Sequence, residues 1–375
     1  MDKLKLLTTN FLLITCLLLL NGCGSTGAIL YDQDTESAIQ SYIADTRPWV
    51  ETEGGHLKVV FHRAGSFQEY AKNVNDPKFK YGSGCTSVKD VAVLMDRSFE
   101  ELAADGVEID AQTVPANEHY PNVYIVHDKI KPGQQPELAR SYLINNTLTE
   151  VLTHFIRQQY FRPQATSPSG RYLYIELKIS KKKFYLNHSP LSQEQKGYIE
   201  QIIRELQTAI ESATDTAVMG TAVRRQVGFA SFNPYALEYA HEFALKNNQS
   251  GYAYNFIAGT NRGLLGYLAN IFGSKEINYL NAQLTQKLKL SKRITGIWFD
   301  PAGINRIANT FNTINRERES PLSIYISTYK LDRPSYLKRL RKGAEAESNS
   351  QPVKLKHVRG LIFDIQACKT GSKEF

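Results

Sequence analysis

The chain has 375 residues, 42% hydrophobic and 22% charged, the balance of a globular protein rather than a disordered one. That length suits one large domain or two average ones, and a single (β/α)8 barrel, which needs about 250 residues, fits with additions. The net charge of +8 is spread along the sequence, too diffuse to argue for nucleic acid, and suits an anionic substrate or a membrane surface.

The first element is an export signal. "MDKLKLL" carries two lysines, "FLLITCLLLL" is an apolar core too short to span a bilayer, and "NGCGS" follows. Leu20-Asn21-Gly22-Cys23 resembles a bacterial lipobox, which implies that residues 1–22 are removed and that Cys23 carries lipid. Gly24 after that cysteine resembles the pattern of outer-membrane sorting, so the expected location is the bacterial cell envelope, lipid-anchored in the outer membrane. Of the four cysteines, Cys16 falls in the signal and Cys23 at the lipid site, leaving Cys85 and Cys368 in an oxidising compartment. Residues 23–56 read as a polar tether and lead-in.

From Leu57 a repeated pattern begins, in which a short apolar run is followed by a loop and a helical periodicity. The runs are "LKVVFHRAG", "GVEIDAQ", "RYLYIELKIS", "VGFASFN", "GYAYNFIAG", "ITGIWFDPA", "LSIYISTY" and "VRGLIFDIQA". Between them lie helical stretches such as "VKDVAVLMDRSFEELAADG" and one with a stripe at Ile199, Ile202, Ile203, Leu206 and Ile210. Asn233-Pro234 and Asp300-Pro301 each close a strand and open a helix. Eight strands alternating with helices predict an α/β fold with a parallel sheet, closed as a (β/α)8 TIM-type barrel over residues 57–368 with a tail at 369–375. "VYIVHD" is an extra short strand, a hairpin-like continuation of the second unit.

Barrel sites lie at the C-terminal ends of the strands, and the polar residues gather there. His62 and Arg63 end the first run, Glu108 and Asp110 the second, His127 and Asp128 the extra strand, and Glu176 and Lys178 the third. Residues at i and i+2 of a strand share a face, so Glu108 and Asp110 aim at one spot, where two carboxylates repel unless a cation lies between them. Glu108, Asp110 and Glu176 together make an all-oxygen set, suited to Ca²⁺ or Mg²⁺ rather than zinc. The alternative is that Glu176 pairs with Lys178 or Arg63 and no metal binds. His56, His119, His154, His188, His241 and His357 show no partner pattern and read as structural or surface groups.

Taken in order, "FHRAG", "EIDAQ", "IVHD", "YIELK" and "ASFNPYAL", with "IYISTY" and "GLIFDIQ" at the last two strands, resemble the glycerophosphodiester phosphodiesterase family over residues 57–367. The resemblance implies a phospholipase-C-like barrel that hydrolyses a glycerophosphodiester to glycerol 3-phosphate and an alcohol. It implies His62 and His127 as general acid and base, Ca²⁺ or Mg²⁺ held by Glu108, Asp110 and Glu176, and phosphate bound by Arg63 and Lys178. The sequence departs from the family ahead of the first helix, where "YGSGCTSVKD" stands in place of Pro-Glu-Asn-Thr. It departs again at Ser327-Thr328, where a substrate-facing aromatic is expected and Tyr325, Tyr329 or Trp298 is the candidate substitute.

Two other readings fit the same residues. One is a phospholipase of the sphingomyelinase D or phosphatidylinositol phospholipase C type, with Phe67, Tyr70, Phe79 and Tyr81 on a membrane-facing rim. The other is an inactive barrel that serves as a binding lipoprotein. In a closed barrel Cys85, after strand one, and Cys368, after strand eight, fall on neighbouring strands at one face, which makes them the expected disulfide.

Overall fold

The computed structural model describes residues 29–30, 35–52, 54–62, 91–100, 102–113, 123–125, 146–160, 170–179, 191–214, 217–258, 288, 291–299, 304–328, 333–341 and 353–366. Its strands, in chain order, are β1 (Ile29–Leu30), β2 (Val50–Thr52), β3 (Lys58–His62), β4 (Gly106–Thr113), β5 (Val123–Ile125), β6 (Tyr172–Leu177), β7 (Val227–Ser231), β8 (Ala253–Ala258), β9 (Gly296–Phe299), β10 (Ser323–Ser327) and β11 (Leu355–Gln366). The helices are α1 (Thr35–Thr46), α2 (Val91–Glu100), α3 (Leu148–Tyr160), α4 (Gln193–Ala213), α5 (Ala217–Gln226), α6 (Pro234–Lys246), α7 (Ile304–Glu317) and α8 (Arg333–Arg341).

Eight of these strands run parallel in the order β3-β4-β6-β7-β8-β9-β10-β11, and β11 closes on β3 from Gly360↔Lys58 to Asp364↔His62. The fold is therefore a (β/α)8 barrel, and all eight apolar runs read from the sequence are its staves. Parallel strands covered on both faces read as near-continuous apolar segments, which is why these runs stood out. β5 lies antiparallel on the end of β4, pairing Ala111↔Ile125 to Thr113↔Val123, so the extra strand is the expected hairpin-like extension.

Each strand sends alternate residues outward to the helices and inward to the lumen. The inner set is a separate cluster of Val60, Tyr174, Ala230, Ile257, Trp298, Tyr325 and Ile362. Large and small residues alternate around it. A Cβ on Gly228 would meet the Tyr174 ring at 2.7 Å, and one on Gly296 would collide with the Asn255 amide. The Tyr174 and Tyr325 hydroxyls share a hydrogen bond of 2.8 Å, and Trp298 stands edge-on to Tyr174 at 5.2 Å. The lumen is thus a packed floor rather than a pore.

Outside, the stripe on α4 is buried as its spacing predicted, and its N-terminus is closed by a capping box between Ser192 and Gln195. Asn233 caps α6 by accepting from the Tyr235 N–H at 3.0 Å, with Pro234 in the first turn. Asp300-Pro301 lies outside the described residues.

The lead-in expected to be a tether contains a packed helix. On α1, Ile39, Tyr42 and Ile43 are buried; Tyr42 meets Phe363 of β11 edge-on at 5.7 Å, and Thr46 shares a 2.6 Å hydrogen bond with the Tyr336 hydroxyl of α8. Arg333 of α8 adds an ion pair with Asp45 at 2.7 Å. This helix, upstream of the first barrel strand, covers the outer face of β11, the wall that a helix following the eighth strand covers in a regular barrel.

Candidate functional site

On β4 the outward residues Val107, Ile109 and Ala111 are fully buried against helices, and the inward pair Glu108 and Asp110 is also 0% exposed. The parallel register sets Asp110 beside Glu176 of β6, and Glu176 is 2% exposed. Two links of the local structure therefore concentrate acid at one place: the period-2 alternation within β4 and the lateral pairing of β4 with β6. At the other edge of β4, His62 ends β3 with its Nε2 3.9 Å from Glu108 Oε2. One ligand atom each from His62, Glu108 and Glu176 fall within 4.8 Å of one another, all three side chains being buried.

Lys178 follows β6 and reaches back across the strand pair. Its Nζ lies 2.9 Å from Glu176 Oε2 and also pairs with Asp110 Oδ1. Burial acts to lower the pKa of this ammonium, but the neighbouring Asp110, Glu176 and Glu108 carboxylates outweigh it and hold the group well above its ordinary value. The ion pair between Glu176 and Lys178 anticipated as an alternative does form, and it shares the lysine with Asp110.

The strand ends that carry these groups are tied by Tyr198 of α4. Its hydroxyl donates to the Ala111 carbonyl, one residue beyond Asp110, and accepts the Lys178 backbone N–H at 3.1 Å. Burial pushes the Tyr198 phenol well above its ordinary pKa, against the pull of Lys178, so the proton needed for the bond to Ala111 stays in place. Ser231 of β7 adds a weaker tie, donating to the Leu177 carbonyl at 3.3 Å. Nothing in the spacing of the α4 stripe distinguished Tyr198, because its role depends on which strand ends the helix lies over.

The structure brings together His62, Glu108, Asp110, Glu176 and Lys178. Within that cluster one ligand atom each from His62, Glu108 and Glu176 converge, while Asp110, beside Glu176 in the register, shares Lys178 with it. Arg63, His127, Cys23, Cys85 and Cys368 lie outside the described residues, as do Tyr329 and the rim residues Phe67, Tyr70, Phe79 and Tyr81. Trp298 and Tyr325, candidates for a substrate-facing aromatic, are 3% and 5% exposed and belong to the floor of the lumen.

The donor set fits a divalent cation. Among the described residues, three carboxylates face one ammonium, and burying such an excess of negative charge is costly without further positive charge. One imidazole nitrogen and carboxylate oxygens are ligands that Mg²⁺, Mn²⁺, Ca²⁺ or Zn²⁺ accept in differing proportions. No protein-family model matches the chain, and no curated protein matches it at a significant level.

Proposed function

We propose that this barrel is a metal-dependent phosphodiesterase that hydrolyses glycerophosphodiesters. The observation that carries this reading is the convergence of buried His62, Glu108 and Glu176 beside a lysine already paired with Asp110, at the end of a barrel where strand-borne groups act on substrates. The order of the motifs in the sequence selects the phosphodiester among the substrates such a set could serve.

Glu108 and Glu176, with Asp110 beside them, would hold the cation, which when bound would neutralise charge that develops on the phosphoryl oxygens, and His62 lies next to them for proton transfer. Lys178 supplies a fixed ammonium to the same end of the lumen, and its two carboxylate partners restrict where that ammonium can go. Arg63, directly after His62, supplies a second cation for the phosphate. In the reaction an oxygen nucleophile forms a bond to phosphorus while the bond to the departing alcohol breaks. One histidine of the His62–His127 pair takes the nucleophile's proton, and the other gives a proton to the leaving oxygen. Each transfer is typically worth about 10²–10⁴-fold in rate. The buried aromatic floor of Tyr174, Trp298 and Tyr325 closes the lumen below the site, so a substrate must enter from the mouth.

The test is turnover by the chain starting after Cys23 on a panel of glycerophosphodiesters and intact phospholipids, with Ca²⁺, with Mg²⁺ and with a chelator. We expect chelator-sensitive release of glycerol 3-phosphate, reduced about 10²–10⁴-fold in His62→Ala. Absence of turnover across the panel, in protein shown to be folded and to bind metal, would defeat the proposal and favour the binding lipoprotein. Turnover confined to intact lipids would favour the phospholipase.

A further inference from the structure

The position of the first strand bears on where the substrate is met. β1 pairs in parallel with the far end of β11, Ile29↔Ile365 and Leu30↔Gln366, just beyond the register pair Asp364↔His62. Residue 29 is therefore fixed at the mouth of the barrel, on the side of the candidate site. From there α1 leads away from the mouth, and β2 pairs with the opposite end of β11 at Leu355↔Val50. Cys23 stands six residues before Ile29. Six residues span at most about 20 Å fully extended. β11 has 12 residues, which at about 3.3 Å per step and a strand tilt of about 36° set the two faces roughly 30 Å apart. A lipid held on Cys23 cannot pass from the mouth to the opposite face.

We propose that the mouth of the barrel faces the phospholipid surface in which its own anchor is embedded, and that, besides soluble glycerophosphodiesters, it cleaves phosphodiesters carried by lipids at that surface. This rests on the phosphodiesterase reading for the choice of substrate and on lipidation of Cys23 for the tether, whereas the orientation follows from the β1–β11 pairing. The chemistry of the partner is that of a bilayer of zwitterionic and anionic phospholipids. The opposite end of the barrel carries Arg224 and the ion pairs Lys292–Glu319, Arg293–Glu242 and Lys356–Glu51, and its docking on the same bilayer is the rival geometry.

The experiment uses the full chain, processed and lipidated at Cys23 as shown by mass, in vesicles of phosphatidylethanolamine and phosphatidylglycerol. A fluorophore is placed on Gln193→Cys, exposed at the start of α4 on the mouth side, or on Ser250→Cys, exposed before β8 on the opposite side, with Cys85 and Cys368 replaced by serine. Nitroxide-labelled lipid should quench the Gln193 probe more strongly than the Ser250 probe. In parallel, 24 Gly/Ser residues are inserted between Ser25 and Thr26. Effective concentration falls roughly as the −3/2 power of tether length, so cleavage of vesicle lipid should drop about tenfold while turnover of soluble glycerophosphoethanolamine stays the same. Stronger quenching at Ser250, equal quenching at both, an unlipidated Cys23, or vesicle cleavage indifferent to the insertion would each overturn the proposal. Selective quenching at Gln193 with no turnover of any diester would leave the orientation standing and defeat the phosphodiesterase reading alone.

Discussion

Replacing Tyr198 with phenylalanine removes one oxygen from the protein and tests how the site is held. That oxygen donates to the Ala111 carbonyl of β4 and accepts the Lys178 N–H beyond β6, closing the two strand ends over the carboxylates. Phenylalanine keeps the ring and its packing, so the loss is confined to the two hydrogen bonds. Each backbone group left without its partner in a buried setting costs about 1–3 kcal/mol. Water entering from the mouth recovers part of this, and we expect a net loss of about 2–4 kcal/mol. The assay is urea unfolding with the slope of the transition compared between the two proteins, since an unchanged slope with a lower midpoint isolates a change in stability. Because Asp110 and Lys178 flank the two bonds, divalent-cation affinity should weaken in the same variant. A stability loss below about 0.5 kcal/mol, or a changed slope with the same midpoint, would refute the view that this hydroxyl fixes the strand ends.

Three further outcomes follow from other parts of the molecule. Gly228→Ala should destabilise by about 1–3 kcal/mol, because the new methyl would lie 2.7 Å from the Tyr174 ring in the packed lumen; a thermal melt matching the parent would show that the floor yields easily. His241 has its imidazole pKa lowered, first by burial and then by Arg293, against a smaller opposing effect of Glu242. Its contribution to stability is therefore present above the unfolded value of about 6.5 and is lost as pH falls through the lower folded value. His241→Gln should consequently lose less stability than the parent between pH 7.5 and pH 5, and equal losses would count against this assignment. Finally, Ca²⁺ or Mg²⁺ at one hundred times its dissociation constant should stabilise the parent by about 2.7 kcal/mol, and Glu108→Gln should show much less of this effect in the same calorimetric scan.

The staves of the barrel were legible because each is buried on both faces and so reads as an apolar run too short to be a helix. The polar exceptions within those runs, at His62, Glu108, Asp110, Glu176 and Lys178, pointed to the mouth for the same reason. The lateral relations were not legible. That Asp110 sits beside Glu176 depends on the stagger between β4 and β6, which is set by closure of the whole barrel rather than by either strand. The partition that gives Asp110 to Lys178 and leaves His62 with Glu108 and Glu176 depends in turn on that stagger. α1 was passed over because its apolar positions, Ile39, Tyr42 and Ile43, amount to a single turn's worth of stripe in a polar segment. Such a stripe becomes decisive only once the outer face of β11 is known to need a cover.

The same closure explains why a lysine can lie within a cluster proposed to hold a cation. At an effective dielectric of about 20, two like charges 4 Å apart repel by about 4 kcal/mol, so three carboxylates crowded into one layer strongly disfavour their joint ionisation. Lys178 relieves the two that the β4–β6 register brings together, Asp110 and Glu176. Glu108, two residues back along β4, faces His62 across the neighbouring strand pair instead. A divalent ion held by Glu108 and Glu176 would add positive charge to the cluster, with Glu176 also paired to Lys178. Substituting Lys178 by methionine thus removes the counter-charge of Asp110 while leaving the convergent set in place. If the partition is right, that change should damage folding stability at neutral pH more than it damages cation affinity, the reverse of what Glu108→Gln should do.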